Sequence, residues 1–243
     1  MGLLNSITGK SKVKAGNKKV LAARENKDAA KAEALLSEAM LAYGQVASDS
    51  SAFKDALYNW GMALLYSARL KQGGEGAKGL YEEAGKKFSY CLVAKEDYMA
   101  SALDWGVALM ELAALQEEAE KAPTYVLAKE KFTLADSIQS GVASYNFACL
   151  HAIAGDFEAC KAALELAHEY RNLPDEDDIL NDADMQVAKT QAWFTEFLAA
   201  VNAPESEEKP KESDEEKAEE DVKYSDTKIV TDGYKVEYDK KSE

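Results

Sequence analysis

Apolar side chains recur at steps of three and four residues through residues 18–200, where Ala, Leu, Glu and Lys predominate. This period places the apolar groups on one face of successive α-helices. The main interruptions are residues 73–76, Pro123, Gly141, residues 154–156 and Pro174. Helices joined by such short connections pack as antiparallel neighbours, so the sequence predicts an all-α fold.

Three of the predicted helices, which we call the signature helices, share an internal pattern. Residues 57–64 read LYNWGMAL, residues 102–109 read ALDWGVAL, and residues 144–151 read SYNFACLH. In each, an aromatic ring (Trp60, Trp105 or Phe147) is followed by a glycine or an alanine. A large ring beside a small residue allows a second helix to approach closely.

Each signature helix is followed by a helix with its own repeated spacing of three, four and three residues. The spaced positions are Tyr81, Ala84, Phe88 and Cys91; Tyr125, Ala128, Phe132 and Ala135; Phe157, Cys160, Leu164 and Ala167; and a weaker copy at Ala29, Ala32, Leu36 and Ala39. These steps put the four side chains of each set on one helical face.

Together the two patterns resemble the tetratricopeptide repeat (TPR) family, whose 34-residue helix–turn–helix follows the pattern W-x2-LG-x2-Y…A-x3-F…P. Residues 141–174 have that length, a short turn and a final proline. The sequences Trp60-Gly61-x2-Leu64 and Trp105-Gly106-x2-Leu109 match its Leu-Gly-x2-Tyr portion, with Trp for Leu. The resemblance covers roughly residues 16–174. The signature rings are separated by 45 and 42 residues, which predicts insertions at residues 70–80 and 115–124, formed by extended helix ends with a longer loop.

The resemblance implies a TPR-like α-solenoid of antiparallel helix pairs, whose first helices line a concave groove for a protein segment. Carried onto matching positions, the groove contains Tyr58, Asn59, Met62, Tyr66, Leu103, Asp104, Val107, Met110, Tyr145, Asn146 and Cys149. The alternative is that the rings in this set only pack between the repeats or against the hairpin. Some family members use a clamp of Lys, Asn and Arg to hold acidic chaperone tails. Met62, Val107 and Cys149 stand where its amides are expected, so that type of partner is disfavoured.

The chain divides into four predicted parts. Residues 1–15 form a basic N-terminal segment, and residues 16–202 form the TPR-like helical repeat domain. A repeat array needs a terminal cap, and an apolar stripe within residues 175–202 predicts a C-terminal capping helix. Residues 203–221 carry ten acids and three lysines, which predicts an acidic disordered linker.

Residues 222–243 form the last predicted part, a short β-hairpin tail. Asp232-Gly233 between two alternating runs is a strong hairpin signal. A lone hairpin is marginal in water. We therefore expect its apolar side chains to dock on the repeats, on another subunit or on a partner, and a tail that never orders is the alternative. These side chains are Ile229, Tyr234, Val236 and Tyr238.

Composition and charge restrict the class of partner and the cellular compartment that we expect for this protein. The net charge of −15 over 243 residues argues against a nucleic acid as the main partner. No apolar run approaches the length of a membrane span. Three cysteines without a CxxC pair suit a reducing, cytoplasmic compartment. Residues 1–6, MGLLNS, fit the N-myristoylation pattern and precede five lysines, so peripheral attachment to the cytoplasmic face of a membrane is an alternative to an ordinary helix start.

Candidate chemistry is sparse, so the sequence predicts a protein that is not an enzyme and uses no cofactor or metal. Neither His151 nor His168 belongs to a nucleophile–base spacing. Cys149 and His151 point to different faces of one helix. Cys91 and Cys160 occupy small-residue packing positions, which predicts inert core thiols.

Two functions follow from this organisation. The favoured one is a scaffold or adaptor that binds a protein partner in the groove. The alternative is a structural subunit of a larger assembly, held through the basic N-terminal segment and the hairpin tail. Self-association through the hairpin is a third arrangement that the sequence leaves open.

Overall fold

The computed structural model describes residues 2–202, and side chains from residue 8 onward. This part of the chain is all-α and holds ten α-helices with two short 3-10 segments near its end. The helices are α1 (Gly2–Arg24), α2 (Ala29–Gly44), α3 (Phe53–Leu70), α4 (Ala77–Ala94), α5 (Met99–Ala114), α6 (Glu118–Ile138), α7 (Ser144–Ala154), α8 (Phe157–Glu169), α9 (Glu176–Asn181) and α10 (Ala192–Val201). The 3-10 segments are Ala183–Met185 and Ala188–Thr190. The predicted hairpin tail and the acidic linker lie outside the described residues.

Local signals place several of the helix ends. Asp28 caps the start of α2, because its side chain accepts hydrogen bonds from the amides of Ala30 and Lys31. Asp156 caps α8 by accepting from the amide of Ala159. Gly155 ends α7 with φ +74°, a left-handed conformation that glycine adopts without strain. The turn predicted at residues 154–156 is therefore confirmed.

Helices that follow one another in sequence pack against each other. The closest pairs are α1 with α2, α3 with α4, α5 with α6, and α7 with α8, and α2 and α4 also contact the next helix along. The predicted apolar stripes lie on the second helix of each pair (α2, α4, α6 and α8), on the face that is buried from solvent. Their fully buried members are Ala32, Leu36, Ala39, Ala84, Phe88, Cys91, Ala128, Phe132, Ala135, Cys160, Leu164 and Ala167.

The same close contact joins the first three pairs. A Cβ placed on Gly61 would overlap the Phe88 ring, and one placed on Gly106 would overlap the Phe132 ring. Gly16 meets Tyr43 in the same way between α1 and α2. The first pair thus has a glycine–ring contact of its own, which its sequence did not reveal because Gly16 lacks an adjacent aromatic residue.

The two signature tryptophans lie at equivalent joints between successive pairs. Trp60 of α3 packs on Gly44 of α2, and its ring lies 4.0 Å below the ammonium group of Lys87 in α4. Trp105 of α5 packs on Gly85 of α4, with the Lys131 ammonium group 4.5 Å from its ring. Trp105 also contacts both of the two large apolar clusters of the described residues, so it connects them.

Two predicted features are wrong. Pro123 does not break the chain but lies inside α6. The proline removes one amide donor from the helix, and next to it the Thr124 hydroxyl lies within hydrogen-bond distance of two acceptors, Gln116 Oε1 and the Glu120 carbonyl. The longer spacing before Phe147 is therefore taken up largely by a 21-residue α6, whereas that before Trp105 includes a loop at residues 71–76.

The second error concerns the cap, which is not one helix. Asp182 and Gln191 adopt extended backbone conformations, and these divide residues 176–201 into α9, the two 3-10 segments and α10. Met185, Phe197 and Leu198 of the predicted stripe are nevertheless buried in the same apolar cluster as Leu164 of α8. The apolar stripe correctly identified core residues, but the aspartate and the polar Gln191 were not read as helix ends.

At the other end, α1 begins at Gly2 and continues through the predicted boundary after residue 15, with Val13 fully buried. None of the helices in the range 2–202 is long and apolar enough to cross a bilayer.

Candidate functional site

A cavity of about 390 Å³ opens between α5, α7 and the segment that carries α9. We call it the α5–α7 cavity. It is lined by Val107, Met110, Glu111, Tyr145, Asn146, Cys149, Pro174, Asp178, Asn181, Asp182 and Asp184. Four of these side chains are carboxylates, and the set contains no Lys, Arg or His. The cavity is therefore apolar on one wall and strongly acidic on the other.

Helical spacing brings the α7 residues to one face. Tyr145 and Cys149 are four residues apart, and Asn146 is three residues before Cys149, so these side chains are neighbours on the helix surface. Val107 and Met110 are three residues apart on α5, so their side chains are also neighbours on the helix surface. The backbone of all five positions is fixed by regular helix, which gives the wall of the cavity a defined shape.

Asp182 is the centre of the polar contacts. Its Oδ2 accepts a hydrogen bond of 2.8 Å from the Tyr145 hydroxyl, and the Cys149 Sγ lies 3.7 Å from the same oxygen. Its Oδ1 accepts from the backbone amide of Asp184 at 2.8 Å, which starts the 3-10 segment there. Helix α9 ends before Asp182, and the extended backbone there directs the Asp182 carboxylate toward Tyr145 of α7. Asp184 follows in the 3-10 segment and lines the same cavity.

Burial, and after it the clustered negative charge, raises the pKa of two groups in the cavity lining. Burial raises the pKa of the Asp184 carboxyl to about 6, and the charges of Asp182 and Glu111 contribute to the rise. Burial, followed by the charges of Asp182 and Asp184, also raises the pKa of the Cys149 thiol well above its ordinary value. A thiol in this environment is a poor nucleophile, because the thiolate is the reactive form.

Glu111 differs from the other three carboxylates because it has a cationic partner. The Arg69 guanidinium binds it through two nitrogens, with an Nη2–Oε1 distance of 2.6 Å. Within residues 2–202, no ion pair is formed by Asp178, Asp182 or Asp184. The negative potential of the cavity therefore comes mainly from the segment after α8.

Five of the eleven predicted groove residues line this cavity together: Val107, Met110, Tyr145, Asn146 and Cys149. The other six do not. Asn59 and Met62 are fully buried, and Leu103 is half-buried against the cluster that includes Phe132. The ring of Tyr66 lies between the guanidinium groups of Arg24 and Arg69, which are 5.3 and 5.7 Å from its centre.

The remaining two, Tyr58 and Asp104, bind each other. The Tyr58 hydroxyl donates to Asp104 Oδ2 at 2.8 Å, and both side chains are buried. Burial, and then the Asp104 charge, raises the pKa of Tyr58 well above its ordinary value. The part of the predicted groove formed by α3 is therefore closed by packing against α5.

Sequence reasoning missed the acidic wall. Asp178 was assigned only to a helix start, and Asp182 and Asp184 carried no recognised pattern. The signal that could have found them is the density of aspartates within residues 175–184 directly after the last helix pair, five in ten residues.

A second cavity, of about 320 Å³, lies between the end of α8, α9 and α10. His168 and Arg171 contribute positive groups to it, and Asp175 and Glu176 contribute negative ones. Asn202, the last described residue, also lines it and donates to Glu176. Because its charges are mixed and it contains no predicted groove residue, the α5–α7 cavity is the better candidate site.

The chain was compared with protein-family models, curated proteins and solved structures, and none of them matches it.

Proposed function

We propose that this protein is a non-enzymatic adaptor with a TPR-like repeat architecture, and that it binds an extended segment of a partner protein at the α5–α7 cavity. Three features support the architecture. The helices pack in adjacent pairs, four second helices bury matching stripes, and the first three pairs share a glycine–ring contact.

The charge and shape of the α5–α7 cavity carry the proposal. Its volume is at the lower end of the range for ligand pockets, which suits one or two side chains of a bound segment. Val107 and Met110 offer an apolar wall, and a methionine adapts its shape to different side chains. The acidic wall favours a cation, so the segment we propose carries Lys or Arg beside an apolar residue.

The exposed carboxylate of Asp178 at the cavity predicts that binding depends on salt concentration. Asp178 is exposed at the mouth of the cavity, where its charge acts on an approaching partner through solvent. Electrostatic attraction of this kind raises the association rate and weakens as salt screens it. The high pKa of the Cys149 thiol favours binding over covalent catalysis at this site.

The test uses two fluorescein-labelled peptides of equal length, in which leucines alternate with either lysines or glutamates. Fluorescence anisotropy measures their binding to the full chain at low and at physiological salt. We expect the lysine peptide to bind with an affinity that falls as salt rises, and the glutamate peptide not to bind. Equal binding of both peptides, or binding of neither, contradicts the proposal.

A pair of matched variants locates the binding site. Asp178→Lys reverses a charge on the cavity rim, and Asp177→Lys makes the same change at the exposed neighbour on α9 that does not line the cavity. Asp178→Lys should weaken the lysine peptide about tenfold, since exchanging attraction for repulsion at an exposed site is worth roughly 1–2 kcal/mol. Asp177→Lys should have a clearly smaller effect, and equal effects would place the peptide elsewhere.

A further inference from the structure

The lining of the α5–α7 cavity holds a thiol and two carboxylates close enough to share a metal ion. One ligand atom from each of Cys149, Asp182 and Asp184 lies within 4.8 Å of the others. We propose that these three residues form a binding site for a divalent transition-metal ion, with Zn²⁺ as the physiological ligand. The site shares Asp182 and Asp184 with the acidic wall of the proposed function, but metal binding requires no partner peptide. The inference revises the sequence prediction that the chain binds no metal.

The geometry of the pair that can be measured agrees with zinc. Zinc–sulfur bonds of about 2.3 Å and zinc–oxygen bonds of about 2.1 Å at a tetrahedral angle separate the sulfur and oxygen by about 3.6 Å. The Cys149 Sγ and Asp182 Oδ2 are 3.7 Å apart. A small rearrangement of the half-buried Asp184 side chain is then enough to complete a three-residue set.

Asn146 supplies independent evidence that a ligand belongs here. Its side chain is 4 % exposed and lines the same cavity, one helical turn from Cys149. Its Oδ1 accepts no hydrogen bond from any described residue. Buried polar atoms are normally satisfied, so an unpaired acceptor in the same cavity lining as Cys149, Asp182 and Asp184 points to a bound cation or its water. Asn146 Oδ1 or a water molecule would complete a tetrahedral site.

The donor set selects the class of metal. Mg²⁺ and Ca²⁺ prefer oxygen donors alone, whereas a thiolate favours softer ions such as zinc. The cavity lining has no side-chain cation that could neutralise the three ligands instead. The Tyr145 hydroxyl, which donates to Asp182 Oδ2 at 2.8 Å, would orient that carboxylate as outer-shell partners of metal ligands commonly do.

The other two cysteines have different surroundings and therefore serve as controls. Cys160 is fully buried in the stripe of α8, in the apolar cluster with Leu164. Cys91 is the last residue of the stripe of α4, and its Sγ donates to the Lys54 carbonyl at 3.3 Å. Of the three thiols, Cys149 alone lies in a group of potential metal ligands within residues 2–202.

The test is metal titration of the untagged full chain after treatment with a chelator. Isothermal titration calorimetry with Zn²⁺ should give one site per chain. Co²⁺ should produce visible bands of a tetrahedral centre and a near-ultraviolet charge-transfer band that reports a thiolate ligand. Absence of binding, or a Co²⁺ spectrum without the thiolate band, overturns the proposal.

Variants then identify the ligands. Cys149→Ser should abolish the thiolate band and lower zinc affinity by at least about 100-fold, and Cys160→Ser should change neither. Asp184→Asn, at a half-buried position that tolerates an amide, should lower affinity to a similar extent and serves if Cys149→Ser fails to fold. Tyr145→Phe should lower it by about 10- to 100-fold. Unchanged zinc binding in both ligand variants overturns the assignment.

Discussion

Two regions of the molecule carry the same Tyr-Asn pair at the same place in a signature helix, and only one of them is open. Tyr58 and Asn59 lie in the second turn of α3, and Tyr145 and Asn146 lie in the first turn of α7. In each region the tyrosine hydroxyl donates to an aspartate Oδ2 at 2.8 Å. The aspartate of the first region, Asp104, belongs to α5, the first helix of the following pair, and both Tyr58 and Asp104 are buried.

The aspartate of the second region, Asp182, belongs to a short broken segment instead. No long helix follows α8 among the described residues to cover α7 as α5 covers α3. A space remains between the segment and α7, and that space is the α5–α7 cavity. The difference shows that the position in a repeat fixes where a side chain points, while the next element in the chain decides whether it becomes core or site.

The largest expected effect tests whether the helix pairs of the two regions are equally well packed. Phe88→Ala in α4 should lower the free energy of unfolding by about 3–5 kcal/mol, and Leu164→Ala in α8 by about 2–5 kcal/mol, since both side chains are fully buried. Urea unfolding followed by circular dichroism measures both. Tyr90→Ala and Leu166→Ala remove exposed side chains from the same helices and should each change stability by less than about 0.5 kcal/mol.

A second test compares equivalent positions on the two groove walls. Met62 of α3 is fully buried, whereas Val107, its counterpart in α5, lines the open cavity. Met62→Ala should cost about 2–5 kcal/mol, and Val107→Ala less than about 1.5 kcal/mol. If Val107→Ala proved as costly as Met62→Ala in the same urea experiment, the two regions would not differ in the way described.

The tyrosine hydroxyls give the most closely matched test. Tyr58→Phe removes a donor from the buried carboxylate of Asp104, which should cost about 1–3 kcal/mol because water cannot easily replace it. Tyr145→Phe removes the same group beside a cavity that water can enter, and about 0.5–1 kcal/mol is expected. Both should be measured with a chelator present. Equal losses would indicate that the α7 pair is closed as well.

The smallest effect concerns the joints between pairs. Lys87→Gln and Lys131→Gln each remove an ammonium group from the face of a signature tryptophan, and each should cost about 0.5–1 kcal/mol. Similar losses from the two variants would support equivalent joints on both sides of α4. A loss from one variant alone would separate them.

The sequence predicts the helical framework well because the second-helix stripes need only spacing and residue size. Phe88, Phe132 and Leu164 were identified as core positions and are fully buried. The glycines of the signature helices were expected to admit a close neighbour, and Gly61 and Gly106 do so. Membership in the TPR family stays a prediction from the repeated motifs.

The candidate site was harder to predict because it depends on where the regular pattern stops. A single capping helix over residues 175–202 would have directed the aspartates to solvent, whereas the extended backbone at Asp182 directs its carboxylate to Tyr145. The spacing of the motifs in the signature helices also could not show which of the predicted groove residues are buried by other helices. For that reason Tyr58 and Tyr145 were predicted to share a role that their different surroundings do not support.

The placement of Trp60 and Trp105 has a practical consequence for following how the protein comes apart. Each indole spans a joint between successive helix pairs, with a glycine on one side and a lysine on the other. Separation of the pairs would expose these rings to water before any single pair lost its helices. In a Trp193→Phe variant, the red shift of tryptophan emission would therefore precede the loss of far-ultraviolet ellipticity during unfolding. The fluorescence of Trp60 and Trp105 would then report the separation of the helix pairs.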